Sequence, residues 1–318
     1  MGPVVRARRN RQSPTPLRLR LAQVIVGGKP KSRCPSPEEE GFGNLPLPES
    51  FPRMTLTIAS HIRYNFPEPT DFLLQIEPAI IPEQHVDGWF SCTPTQHFSR
   101  VAAQDGIGER IWLRHQGEFE AWYNAKVDVH RLLAPIEQLA AVPTHRLPGE
   151  TIQYLMDSRY CPADRFQSFV GAEFGGLEGG ELVCAMRDWI SSHFTYAQGS
   201  TSITTALDTF VERRGVCRDY AHMLVTLARA AAIPARFVSV YAPQVFPQDF
   251  HAVAEVFLAD PTQQDEIGGA WHMVDATGMA EPAEIAKIGI GRDAADVSFL
   301  TSYGFADFLD KTIEVTSG

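Results

Sequence analysis

Apolar and polar residues alternate from Met54 onward. Met54, Leu56 and Ile58 are separated by Thr55 and Thr57, the period of two that marks a strand with one buried face. Further strand-like runs cover 72–76, 89–92, 110–115 and 118–129, punctuated by Pro67, Pro69, Pro78, Pro82, Gly88, Gly106, Gly108 and Gly117. Short strands in series predict a β-rich, sandwich-like domain over 54–132. A stretch with Pro135, Pro143 and Pro148 reads as a linker over 133–160. The period then changes. Leu182, Met186, Ile190 and Phe194 fall at helical spacing within 181–196, and 206–213 reads as a second helix stopped by Gly215. An Ala- and Leu-rich third helix over 217–232 closes before Pro234, and 236–241, 251–258 and 271–274 return to strands. This order predicts an α+β domain over 161–305, followed by a C-terminal tail, 306–318. No internal repeat is evident.

Residues 1–53 have a different texture. Seven arginines precede the first acid, and Pro and Gly recur through Pro52. The expectation is a disordered extension, with folding beginning at Met54. An Arg-rich, acid-poor start also suits a transit peptide, and Met54 could itself be the natural start. The extension carries net +6 within a chain of net −10, so the remainder carries −16. An acidic body without a basic stripe argues against nucleic acid as a partner. No run approaches the roughly 18 apolar residues of a membrane helix, so no membrane partner is expected. The five cysteines are scattered without a C-x-x-C pair, which argues for reduced thiols in a cytoplasmic setting rather than zinc or disulfides.

Cys217 follows Gly215-Val216 and begins a predicted helix, where free N–H groups and the helix dipole favour thiolate over thiol. A small buried hydrophobe is the ordinary alternative for a lone cysteine. The residues downstream change that balance. A thiolate nucleophile needs an imidazole to move a proton, and the imidazole needs a carboxylate to fix its tautomer. His251 opens one strand, with Val253, Glu255 and Phe257 on the same face, and Asp275 ends the next. Antiparallel neighbours would bring both side chains to one sheet end, and the helix start would carry Cys217 over it.

At these positions the chain resembles bacterial transglutaminase-like proteins. Gly215-Val216-Cys217-Arg218-Asp219-Tyr220-Ala221-His222 is similar to their cysteine motif and His251-Ala252-Val253-Ala254-Glu255-Val256 to their histidine motif. Trp271-His272-Met273-Val274-Asp275-Ala276-Thr277 resembles their aspartate motif, and 158–165 the segment before their catalytic domain. The resemblance covers roughly 54–304. It implies a papain-like, transglutaminase-like catalytic domain behind an N-terminal β domain. It also implies Cys217 as nucleophile, His251 as general acid/base and Asp275 as the residue orienting it. The family usually has an aromatic residue where Val253 stands and often Asp-Pro-Thr at Asp275-Ala276-Thr277; both differences bear on the acyl pocket rather than the triad.

Tyr196 is a candidate oxyanion donor or pocket residue beside the Cys217 N–H, with simple packing the alternative. Trp271 and Val253 are further pocket candidates. Asp219 and His222 read as capping or structural residues. No acidic run resembles a calcium loop, so neither metal nor cofactor is expected. The implied chemistry is acyl transfer from a peptide or protein substrate. Hydrolysis is the favoured outcome and transfer to an amine the alternative. A non-catalytic binding protein on the same fold, or a scaffold recruiting partners through its β domain, are the readings from outside enzymology.

Overall fold

From Met54 the chain forms β1 (Met54–Leu74), β2 (Gln84–Cys92), β3 (His97–Ala102) and β4 (Glu109–Val129), in a computed structural model that describes residues 54–131, 133–260 and 268–318. The expectations for 1–53 lie outside the described residues, all of which fall within one compact unit, Pro48–Gly318. β1 and β4 are each 21 residues long, where the prolines and Gly117 had predicted breaks. Their ladder explains the difference. Phe66 pairs with Gly117, the next pair is Thr70 with His115, and the intervening residues bulge out of register. Pro67 and Pro69 therefore never have to donate to the ladder, and Gly117 takes the φ of +93° that few other residues adopt.

The second half contains α1 (Gln167–Glu173), α2 (Gly179–His193), β5 (Thr195–Tyr196), α3 (Ala206–Glu212), β6 (Arg214–Gly215) and α4 (Cys217–Ala230). It continues with β7 (Ala235–Tyr241), β8 (His251–Ala259), β9 (Gly269–Val274), β10 (Ala286–Gly291), β11 (Leu300–Ser302) and β12 (Asp307–Ser317). The mixed α+β architecture behind a β-rich region is as expected. Two of the predicted boundaries are not. Residues 306–318 are no tail, because β12 pairs along β1 and buries Ile313 and Val315 on alternate positions. Residues 133–160 are not a bare linker either, since they form tight 3-10 turns and bury Tyr154 completely.

The first sheet runs β11-β1-β4-β2, with β12 also on β1 and β3 also on β4. The second runs β10-β7-β8-β9, antiparallel throughout. One face of this second sheet takes α4: Ala254, Val256, Leu258 and Val274 share a core with Met223, Leu224 and Leu227. The first sheet closes on its β7–β10 edge, where Tyr241, Ala286 and Ile288 join the core of Leu74, Ile76 and Phe119. Buried Gln84 bridges the two sheets. Its amide donates to the carbonyls of Ala79 and Lys287, and its oxygen accepts from the Lys287 N–H at 2.7 Å. With every hydrogen bond made, this polar group can sit inside the seam at little cost.

Candidate active site

α4 begins at Cys217 because three local features converge there. α3 ends on Arg213 in the left-handed conformation, φ 55°, rather than at Gly215. Gly215 instead lies under the first turn of α4, where an added Cβ would meet the Cβ of Asp219 at 2.7 Å. Asp219 caps the helix by accepting from the Val216 N–H at 2.9 Å, and pairs with Arg218 at 2.9 Å. Its role is thus in the helix start. His222 is equally internal: its Nε2 accepts from the Ala294 N–H, and burial drives its pKa down to about 3.

β8 starts at His251 while its antiparallel neighbour β9 ends at Val274, with Ala254 opposite Val274. His251 and Asp275 are therefore brought to the same end of the sheet. His251 Nε2 meets Asp275 Oδ2 at 2.9 Å, and both side chains are buried. The other ring nitrogen, Nδ1, is buried without a hydrogen-bond partner, and Cys217 lies close enough to act on the ring's charge. Burial is the largest influence on His251 and lowers its pKa. The hydrogen bond to Asp275 and the charges of Asp275 and Cys217 outweigh it, and the ring is held up at about 9. Burial likewise raises Asp275, but His251 and Thr277 overcome it and keep the carboxyl below its usual range.

Thr277 is the residue whose role the sequence did not disclose. Asp275 Oδ1 accepts from its N–H at 2.8 Å and from its hydroxyl at 2.7 Å, while Oδ2 also accepts from the N–H groups of Met279 and Ala280. The Asp-x-Thr spacing was the available signal, because a threonine two residues on can close such a turn. Ala276 at the middle position is simply buried.

Tyr196 joins this group. Parallel pairing of β5 with β6 sets Tyr196 opposite Gly215, and its phenol contacts both the backbone and the thiol of Cys217. Burial first, then the charge of Cys217, pushes its pKa up, so it remains a hydroxyl donor at neutral pH. Trp271 and Val253 do not join. Trp271 lies four residues before Asp275, about 13 Å along the strand, opposite Phe257 and with the Arg236 guanidinium 4.0 Å from its ring centre. Val253 is fully buried in the sheet's apolar cluster with Val238 and Met273. Strand alternation places Val253 on the face of His251, but it lies two residues farther from the strand's start, within the apolar cluster.

A cavity of about 440 Å³ opens at Cys217 and His251, walled by Tyr160, Tyr196, Phe246, Phe250 and Lys311. Phe246, 88% exposed, sits in the loop before His251. That loop is tied to β12: Lys311 pairs with Asp249 at 2.6 Å, and the Val315 N–H donates to Gln248. The expected tail thus forms a wall of the site. Among the described residues, no group of three or more His, Cys, Asp or Glu side chains is placed to hold a metal ion. None of the helices among those residues is long and apolar enough to cross a membrane.

The sequence profile of the transglutaminase-like superfamily matches residues 173–276, a span containing Cys217, His251 and Asp275. An uncharacterised protein of Mycobacterium leprae is 28% identical over 172 residues, which cover 52% of this chain and 60% of that protein. One from Mycobacterium tuberculosis is 31% identical over 149 residues, or 42% of this chain and 46% of the relative. The chain thus spans about half the length of these mycobacterial relatives. A crystal structure of a "putative cysteine protease" from Cytophaga hutchinsonii is 34% identical and superposes with a TM-score of 0.75, covering 84% of this chain and 91% of that one. With the profile on its second half and a likeness to that structure along most of its length, this chain belongs to the transglutaminase-like superfamily.

Proposed function

We propose that this protein is a cysteine hydrolase of peptide or amide bonds, with Cys217, His251 and Asp275 as its catalytic residues. The observation that carries the reading is the buried 2.9 Å contact of His251 with Asp275, which leaves Nδ1 free beside the thiol at the head of α4. With a pKa of about 9, His251 is an imidazolium at neutral pH, the partner that a thiolate requires. In this reading, Cys217 Sγ attacks the substrate carbonyl carbon and its C=O π pair moves onto oxygen. The Cys217 N–H and the Tyr196 hydroxyl donate to that oxyanion. His251 passes its proton to the departing nitrogen, the C–N bond breaks, and a thioester with a free amine results. Water then attacks the thioester carbonyl carbon, His251 takes its proton, and collapse releases the carboxylic acid and the cysteine. Throughout, Asp275 keeps Nε2–H occupied so that Nδ1 faces the sulfur.

The Cytophaga hutchinsonii protein supports hydrolysis through its name and its similarity over most of the chain. The competing outcome, attack of an amine on the same thioester, uses the same three residues. Digestion of a peptide library with an added primary amine, read by mass spectrometry, separates the two. New carboxyl termini or deamidated side chains that disappear in Cys217→Ala are the expected result. Amine adducts without hydrolysis would assign the protein as a transferase, and no change in any peptide would remove the enzyme reading.

A further inference from the structure

The cavity at Cys217 extends past the nucleophile into apolar surroundings. Its floor is the α4-facing side of the β7–β10 sheet, just beyond the start of that helix. Ser239 on β7 and Ala252 on β8 lie opposite each other there, and both are small. Phe237 and Ala252 share an apolar cluster with Ala294 and Val297, from the segment before β11, and Cys217 packs against that cluster. The nucleophile therefore stands at the mouth of an apolar pocket whose depth comes from small side chains at its base.

One wall is fixed by stacking. The Phe250 and Phe299 rings lie 5.0 Å apart and nearly parallel, and Lys311 Nζ sits 5.5 Å from the centre of the Phe299 ring. Phe246, on the cavity's rim, is 88% exposed and belongs to none of the apolar clusters among the described residues. Its loop is nevertheless tied down. Gln244 donates to Glu284, Gln248 donates to the Pro243 carbonyl at 2.8 Å and accepts from the Val315 N–H at 2.9 Å, and Asp249 pairs with Lys311. Leaving so large a ring in water forfeits transfer free energy that a second apolar surface would recover. The Cα of the acyl residue is one bond from the carbon that Sγ attacks, so the side chain on that residue is the one that reaches the floor. His251 stands on the side of the leaving nitrogen.

We propose that this cavity is a specificity pocket for a bulky apolar side chain, aromatic above all, on the residue whose carbonyl is attacked, with Phe246 closing over it. The inference rests on Cys217 as the nucleophile and makes peptides or acyl amides with an aromatic acyl residue the substrate class. N-acetyl-phenylalanine and N-acetyl-glycine chloromethyl ketones are the probes on the full chain. The sulfur displaces chloride and keeps the label, so no turnover is needed. Labelling rates at Cys217 are read by peptide mapping, and each is divided by the same reagent's rate with glutathione. The corrected phenylalanine-to-glycine ratio should be at least about tenfold, and Phe246→Ala should reduce it about threefold or more. Ser239→Leu fills the floor and should bring the ratio close to one. Phe246→Ala removes no packed side chain, which covers the case in which Ser239→Leu does not fold. Phe305→Ala, at a ring 71% exposed and outside the cavity, should keep the parent ratio. A parent ratio near one, a ratio unchanged by Phe246→Ala, or a folded Ser239→Leu that keeps it would each overturn the proposal. Hydrolysis of peptides without this preference would leave the hydrolase and remove the pocket. The preference without hydrolysis of any peptide would leave the pocket and remove the hydrolase.

Discussion

Replacing Asp275 with asparagine tests the centre of the proposed mechanism, and its consequences can be worked out atom by atom. Asp275 accepts five hydrogen bonds: three on Oδ2, from His251, Met279 and Ala280, and two on Oδ1, from Thr277. An asparagine has one oxygen, so its better orientation keeps that oxygen at the Oδ2 position. The amide NH2 then faces the Thr277 N–H, two donors in a buried site, at a cost of about 1–3 kcal/mol. His251 also loses its charged partner, while burial, the largest influence and an unfavourable one for the imidazolium, stays. A fall of at least one pKa unit from about 9 removes a further ~1.4 kcal/mol of stability at neutral pH. Together the change should destabilise the fold by about 2–4 kcal/mol in urea melts and lower turnover by about 10⁴-fold. The decisive assay is nitrogen-15 NMR of the His251 ring across pH, its signal identified by its loss in His251→Gln. If the ring still titrates near 9 with asparagine in place, or turnover drops less than tenfold, Asp275 neither holds up the His251 charge nor orients the ring for catalysis.

Three further outcomes are expected. Iodoacetamide in small excess at pH 6 should label Cys217 ahead of Cys92, Cys161 and Cys184, whose thiols burial pushes up, Cys161 to about 12; peptide mapping that finds any of those three labelled first contradicts the nucleophile assignment. Because the His251 pKa is raised on folding, its stabilising contribution is complete below about 6.5 and lost as pH rises through about 9. Turnover and urea stability should both decline over that window, and flat profiles from pH 7 to 10 would count against it. Glu255 runs the other way. Burial pushes its carboxyl up, but Arg236 and Lys287 hold it down at about 2, so Glu255→Gln leaves two buried cations facing each other and should cost about 3–5 kcal/mol at neutral pH; a loss under 1 kcal/mol in a urea melt would show that the cluster is not held as described.

The order of elements was legible from Met54 onward because alternation and helical spacing are local properties. The strands at 236–241, 251–258 and 271–274 came within a few residues of β7, β8 and β9, and the helix at 217–232 of α4. Proline and glycine misled where they acted as bulges. The run over 54–74 is one strand, since Pro67 and Pro69 sit outside the register of the pair they interrupt. Thr277 lies within the aspartate motif, but its hydroxyl, two residues from the carboxylate, gains a fixed partner only when the turn closes.

Residue chemistry and local period are written in the chain itself, and they sufficed for the α+β class, the family motifs and Cys217 at a helix start. Where the strands lie side by side is not local. Only the antiparallel register of β8 on β9 brings His251 and Asp275 to one sheet end, and only the packing of α4 on that sheet carries Cys217 to them. The same register carries Trp271, four residues from Asp275, to the far end of β9 under Arg236. β12 makes the same point from the other direction. Its eleven residues read as a tail, yet pairing along β1 buries Ile313 and Val315 and brings Lys311 to the loop before His251. Long-range contacts of this kind depend on loop closures and shared burial across hundreds of residues, which no window of sequence contains.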